Sequence, residues 1–157
     1  MDGTWQLMET QRFDCVPASE GDRDSVIYNL AYNMLIEEYK TREFYDVGSL
    51  NNIFTSALKA GTIWVFKDEG VPVGVLASLP SKHPFNTNLS ILSEVIWYVL
   101  PEYRNGRAAI SLFKRFEDEA KKYDLSSFSL LPGEDVGVEF IKRKGYGMKE
   151  YGFLKVN

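Results

Sequence analysis

The sequence predicts a single α/β domain spanning residues 1–157, an α+β arrangement in which a central mixed sheet is flanked by helices. Three observations carry this. Val26, Ile27, Leu30, Ala31, Met34 and Leu35 recur at helical spacing and give one apolar stripe. Two β-branched and aromatic runs, 62–67 and 71–79, meet across Asp68-Glu69-Gly70, the composition of a tight hairpin turn. A long apolar strand pattern over 89–100 then passes through a small-residue turn into a helical pattern and a further strand, the order of a parallel crossover.

Taken in order, 12–16 is a short strand candidate. A helix follows from an Asp22 or Asp24 cap to about Glu38. Gly48-Ser49 starts a second helix with Leu50, Ile53, Phe54, Ala57 and Leu58 inward, and Gly61 stops it. After the hairpin, 80–88 reads as a polar loop that holds His83, the only histidine. The pattern then gives a strand over 89–100, a helix over 107–123, a strand over 126–131, a helix over 136–144 and a last strand over 148–156. The predicted order is β-α-α-β-β-β-α-β-α-β.

Composition sets the broad class. The chain is 45% hydrophobic and 14% aromatic, as packed globular proteins are. Its net charge of −4 and the lack of a basic-aromatic stripe argue against nucleic acid. No apolar run approaches the ~20 residues of a membrane span, and the N-terminus lacks the apolar segment of a signal peptide. The lone Cys15 excludes an internal disulfide and fits a reducing compartment, so the expectation is a cytoplasmic protein. As a chemical group, Cys15 reads as a small buried hydrophobe or, without any supporting motif, a nucleophile.

The most informative stretch is Glu94-Val-Ile-Trp-Tyr-Val-Leu-Pro-Glu-Tyr-Arg-Asn-Gly-Arg-Ala-Ala109. The first N–H groups of a helix have no internal partner and point at an anion, so strand, turn and helix start together make a candidate phosphate cradle. Glu94 is a carboxylate inside a strand pattern and a candidate general base. Alternation places Glu94, Ile96 and Tyr98 on one face and Val95, Trp97 and Val99 on the other. The alternatives for Glu94 are an exposed edge position or a structural ion pair. The alternative for 101–109 is an ordinary strand-to-helix turn.

Over nearly its whole length the chain resembles the GNAT superfamily of N-acetyltransferases. Val99-Leu-Pro101-Glu-Tyr103-Arg104 matches a Val-x-Pro-x-Tyr-Arg pattern, and Arg104 to Ala109 falls on the pyrophosphate loop Arg/Gln-x-x-Gly-x-Gly/Ala. Phe140-Ile-Lys-Arg-Lys-Gly145-Tyr146 echoes the closing motif, and Gly70-Val-Pro-Val-Gly74-Val sits at the second and third strands. The resemblance implies an acetyl-CoA-dependent N-acetyltransferase acting by direct attack on an amine acceptor, with Glu94 as base. It places the pantetheine arm against Tyr98 and Val99, and the pyrophosphate on Arg104, Asn105, Gly106, Arg107, Ala108 and Ala109. Neither a metal nor a nucleic-acid or membrane partner is implied, and a homodimer through the final strand is compatible with it.

Three positions depart from the pattern: Arg107 stands where a glycine is usual, Ile141 where a thiolate-protonating tyrosine is usual, and Glu134 where an asparagine is usual. Tyr98, Tyr146 and Tyr151 are the substitute acids. The turn phrase also resembles small bacteriophage-encoded GNAT-like proteins, which leaves a second expectation: a catalytically degenerate binding or assembly protein, for example a phage structural component in the host cytoplasm or virion. His83 reads as a surface loop residue on the acceptor side.

Overall fold

A computed structural model of the chain describes residues 12–129, 135–149, 154, 155 and 157. Among the described residues five strands form one sheet in the order β1-β2-β3-β4-β5: β1 (Phe13–Pro17), β2 (Ile63–Asp68), β3 (Val71–His83), β4 (Asn86–Val99) and β5 (Leu125–Ser127). The first four pair antiparallel and β5 joins β4 in parallel. This is the mixed sheet that the sequence predicts. The predicted last strand lies largely outside the described residues, and Met148 and Lys149 are irregular.

The helices divide between the two faces. On one face, α1 (Ser25–Ala31), α2 (Tyr32–Tyr39) and α3 (Val47–Ala60) cover Ile63, Val65, Val75, Ala77, Ile96 and Tyr98. On the other, α4 (Ala108–Ala120) places Leu112 and Phe116 against Trp64, Phe66, Leu76, Leu92 and Val99. α5 (Asp135–Arg143) lies on the same side, with Phe140 edge-on to Phe113 at 5.2 Å.

The expected apolar stripe of the first helix is buried, but α1 is π-helical rather than α-helical, wider by one residue per hydrogen bond. The sequence pattern cannot separate these, because both keep the same side chains inward. The α3 cap is Asp46, whose Oδ2 accepts from Ser49 N–H at 2.8 Å and Ser49 Oγ at 2.7 Å. The β2–β3 turn has positive φ at both Glu69 and Gly70, the requirement of a type I′ hairpin.

Residues 80–88, expected to be a polar loop, instead continue β3 and β4 to a two-residue tip at Pro84-Phe85. Ser81, Lys82 and Asn86 to Asn88 are exposed, so this arm has no buried face and no apolar alternation to betray it. Gly74 has a steric role: a Cβ there would lie 3.3 Å from both Leu112 Cδ1 and Val99 Cγ2, so glycine permits the close seating of α4 on β3.

Candidate active site

The sheet splits between β4 and β5. Pairing is limited to Ile91–Leu125, Leu92–Ser126 and Ser93–Ser127, whereas β4 runs on to Val99. Side chains fix the paired part: Asp124 Oδ2 accepts from Ser90 N–H at 2.9 Å, and Ser127 Oγ meets Ser93 Oγ at 3.0 Å. Phe128 then draws the chain off the sheet. Its ring packs against Phe116, Phe113, Trp97 and Tyr146 with centroids 4.6, 5.2, 5.5 and 5.6 Å away. The β4 backbone beyond Ser93 therefore has no parallel neighbour among the described residues.

Which groups face the split follows from the β3–β4 ladder. Leu100 N–H donates to Val73 C=O at 2.9 Å and Val99 pairs with Gly74, so the N–H and C=O of Val99 point away from β3. By the same alternation Trp97 presents its backbone to the split, while Tyr98 pairs toward β3. Trp97 Nε1 is buried without a hydrogen-bond partner, an unmet donor beside this edge.

The end of β4 leads directly to a helix start. Pro101 opens a single 3₁₀ turn, Pro101–Tyr103. Tyr103 Oη donates to Asp68 Oδ2 at 2.6 Å, and Arg12 Nε donates to the other oxygen at 3.0 Å, which pins the turn to the end of β2. The two contacts hold the Asp68 carboxyl below its ordinary range. The first bond of α4 is donated by Ser111 N–H to Arg107 C=O at 2.9 Å, so the amides of Arg107, Ala108, Ala109 and Ile110 precede the helical ladder.

Asn105, Gly106 and Arg107 are exposed, Ala108 is buried and Ala109 is half-buried. Arg107 takes no part in the ion pairs among the described residues. Its φ of −86° shows that the usual glycine is not needed here for backbone conformation.

Arg104, expected to reach a phosphate, is instead engaged with α2. Its Nε donates to Val99 C=O at 2.9 Å, one Nη donates to Glu37 Oε2 at 2.7 Å, and the guanidinium lies 5.2 Å from the Tyr98 ring centre. Tyr98 Oη donates to Glu37 Oε1 at 3.1 Å. Burial first, and then the Glu37 carboxylate, push the Tyr98 phenol up to about 12. Glu37 carries no sequence signal, because it is an acid near a helix end like many others.

Glu94 sits at the base of the split, with Oε2 accepting from Ser129 N–H at 3.3 Å, where the chain has just left β4. The expected sharing of a face with Ile96 and Tyr98 is not found. Ser78 pairs with Glu94 and Ala77 with Ile96, so Val95 is an inserted bulge residue. Leu92 and Trp97, an odd number of residues apart, consequently lie in the same core layer under α4. The bulge puts Glu94 on their side, opposite Tyr98.

Of the substitute acids, Tyr146 receives a hydrogen bond from Ser126 Oγ at 3.0 Å and its phenol is pushed up by burial. Tyr98 is committed to Glu37, and Tyr151 and Glu134 lie outside the described residues. Ile141 is a core residue, 7% exposed. His83 Nδ1 accepts from Phe85 N–H at 3.1 Å, so it closes the hairpin tip. Cys15 is half-buried, and burial raises its thiol above the ordinary range. No helix among the described residues is long and apolar enough to cross a membrane.

No family model matches the sequence, and no curated protein matches it. Solved structures do match. A predicted acetyltransferase with acetyl-CoA from Clostridium acetobutylicum superposes with TM-score 0.74 at 16% identity, over 92% of this chain and 96% of that one. Arabidopsis thaliana Naa50, in complex with the bisubstrate analogue CoA-Ac-MVNAL, gives 0.66 at 13%, over 88% and 85%. A transcriptional regulator from Bacillus halodurans C-125 gives 0.70 at 18%, over 92% and 99%. Identities this low show a shared fold, and the last description illustrates that fold and role are separable. From its split mixed sheet to the helix that follows the split, the chain has the fold of the GNAT acetyltransferases.

Proposed function

We propose that the chain is an acetyl-CoA-dependent N-acetyltransferase acting on an amine. The observation that supports this most is continuity: the edge of β4 at Trp97 and Val99, which has no strand neighbour among the described residues, leads without interruption into the amides that precede the α4 ladder. An extended chain with amide groups ending in a pyrophosphate fits both, by strand-like pairing and by anion contact with helix amides. The buried, unpartnered Trp97 Nε1 beside the edge is a further donor for such a chain.

In this reading Val99 and Trp97 present backbone groups to the pantetheine arm, with the Tyr98 side chain on the opposite face. The amides of Arg107, Ala108 and Ala109 receive the pyrophosphate beside the exposed Asn105 and Gly106, where the Gly106 N–H donates to Tyr103 C=O at 3.4 Å, and the free Arg107 side chain adds a charge-assisted contact. Arg104 contributes its place in the turn, and its side chain does so once released from Glu37. The bound acetyl-CoA supplies an activated thioester. Glu94, at the bottom of the split and oriented by Ser129 N–H, accepts the proton that the amine must lose to become nucleophilic. The aromatic rings packed around Phe128 give that side an apolar wall.

Calorimetry with acetyl-CoA, followed by turnover with a panel of amines, tests this. Binding and turnover are expected, with Glu94→Gln slowing turnover by about 10²–10⁴-fold while the cofactor still binds. No binding at millimolar acetyl-CoA contradicts the reading. A second reading, a binding or assembly protein without turnover, is favoured by the core placement of Ile141, which leaves no hydroxyl there. Cofactor binding with no turnover on any amine would select it.

A further inference from the structure

We propose that Arg104, Glu37 and Tyr98 form a latch over the edge of β4 that has no strand neighbour among the described residues, which acyl-CoA must open, so that cofactor binding is coupled to helix α2. The inference rests on the acyl-CoA reading above. Arg104 Nε is 2.9 Å from Val99 C=O, and that carbonyl faces the split rather than β3. A chain pairing along the edge takes its first layer of space at the same N···O separation. The guanidinium and such a chain exclude each other at Val99.

Opening the latch has a defined consequence. Arg104 Nη leaves Glu37 Oε2, now 2.7 Å away, and the guanidinium leaves the Tyr98 ring. Tyr98 Oη is then the remaining partner that holds Glu37, through Oε1. Glu37 lies in the last turn of α2, just before Lys40, which caps the helix with a φ of 57°. The arginine side chain is 44% exposed and the glutamate 40%, so the pair is weak enough for a ligand to displace. One residue thereby reports the state of the cofactor edge to the helix layer on the opposite face from α4.

The test is acetyl-CoA affinity of the full chain by calorimetry, with thermal unfolding to check that each variant folds. Glu37→Gln removes the charge that holds Arg104 and is expected to tighten binding by about two- to fivefold, the range for an ion pair of this exposure. Tyr98→Phe is expected to act in the same direction by a smaller factor. In the wild type, the Arg104 Nε–H resonance is expected to shift and exchange faster with water as acetyl-CoA is added.

Unchanged or weaker binding in both variants, or an Arg104 signal unmoved at saturation, overturns the latch and leaves the acyl-CoA reading intact. No binding by the wild type overturns both.

Discussion

Gly74→Ala probes the contact that seats the candidate site. The new Cβ would lie 3.3 Å from Leu112 Cδ1, 3.3 Å from Val99 Cγ2 and 3.4 Å from Tyr98 C=O. Two effects oppose. Losing glycine's backbone freedom within a strand favours alanine by about 0.5–1 kcal/mol, whereas overpacking a tight core costs about 1–3 kcal/mol. Leu112 is fully buried and Val99 is 6% exposed, so neither yields easily. The clash wins, with a net loss of about 0.5–2 kcal/mol or a Tm fall of about 2–6 °C. Gly106→Ala is the control. Its Cβ has Tyr103 C=O as nearest neighbour at 3.7 Å, so stability should be unchanged or slightly higher. Thermal unfolding by circular dichroism measures both, and a Gly74→Ala protein as stable as wild type would refute the close-packing argument.

Other expectations follow from single contacts. Asp46→Ala removes the α3 cap and should lower Tm by about 2–4 °C. Ser49 holds the Asp46 carboxyl below its ordinary value, so this contribution is present above that value and fades as pH falls through the lowered one. The difference between variant and wild type should therefore shrink in acid. Thr62→Val loses the buried bond from Thr62 Oγ1 to Ser78 C=O at 2.6 Å, and urea unfolding should register about 1–2 kcal/mol. Tyr98, raised to about 12 from 10.0, favours folding below the lower value and ceases to as pH rises through the higher one. Tyr98→Phe should abolish one late-titrating tyrosinate absorbance and lessen the loss of stability between these pH values.

The parts of the fold that were legible are those whose side chains touch a core. Val26, Ile27, Leu30, Ala31 and Met34 are all buried as their spacing requires, and the Glu69-Gly70 turn has the backbone its composition demands. The outer arm of β3 and β4 was illegible because strand pairing alone leaves no mark in hydrophobic periodicity. The Val95 bulge was likewise hidden, and an unseen bulge reverses every face assignment beyond it, which moved Glu94 across the sheet. At the candidate site the turn and helix start were visible as small residues after a strand. The split itself leaves no local mark in the residues, because Phe128 packs among four aromatic rings drawn from three segments. The Arg104–Glu37 contact joins residues distant in sequence through one exposed acid, and nothing local marks it.

In the proposed complex acyl-CoA lies along the β4 edge at Trp97 and Val99 with its pyrophosphate on the amides that open α4. Backbone amide NMR of the full chain, titrated with acetyl-CoA, tests it most directly. Saturable shifts are expected, concentrated at Trp97, Val99 and Arg107 to Ile110, with the β1–β2 amides unmoved. Saturable shifts elsewhere, or none at millimolar ligand, would contradict it.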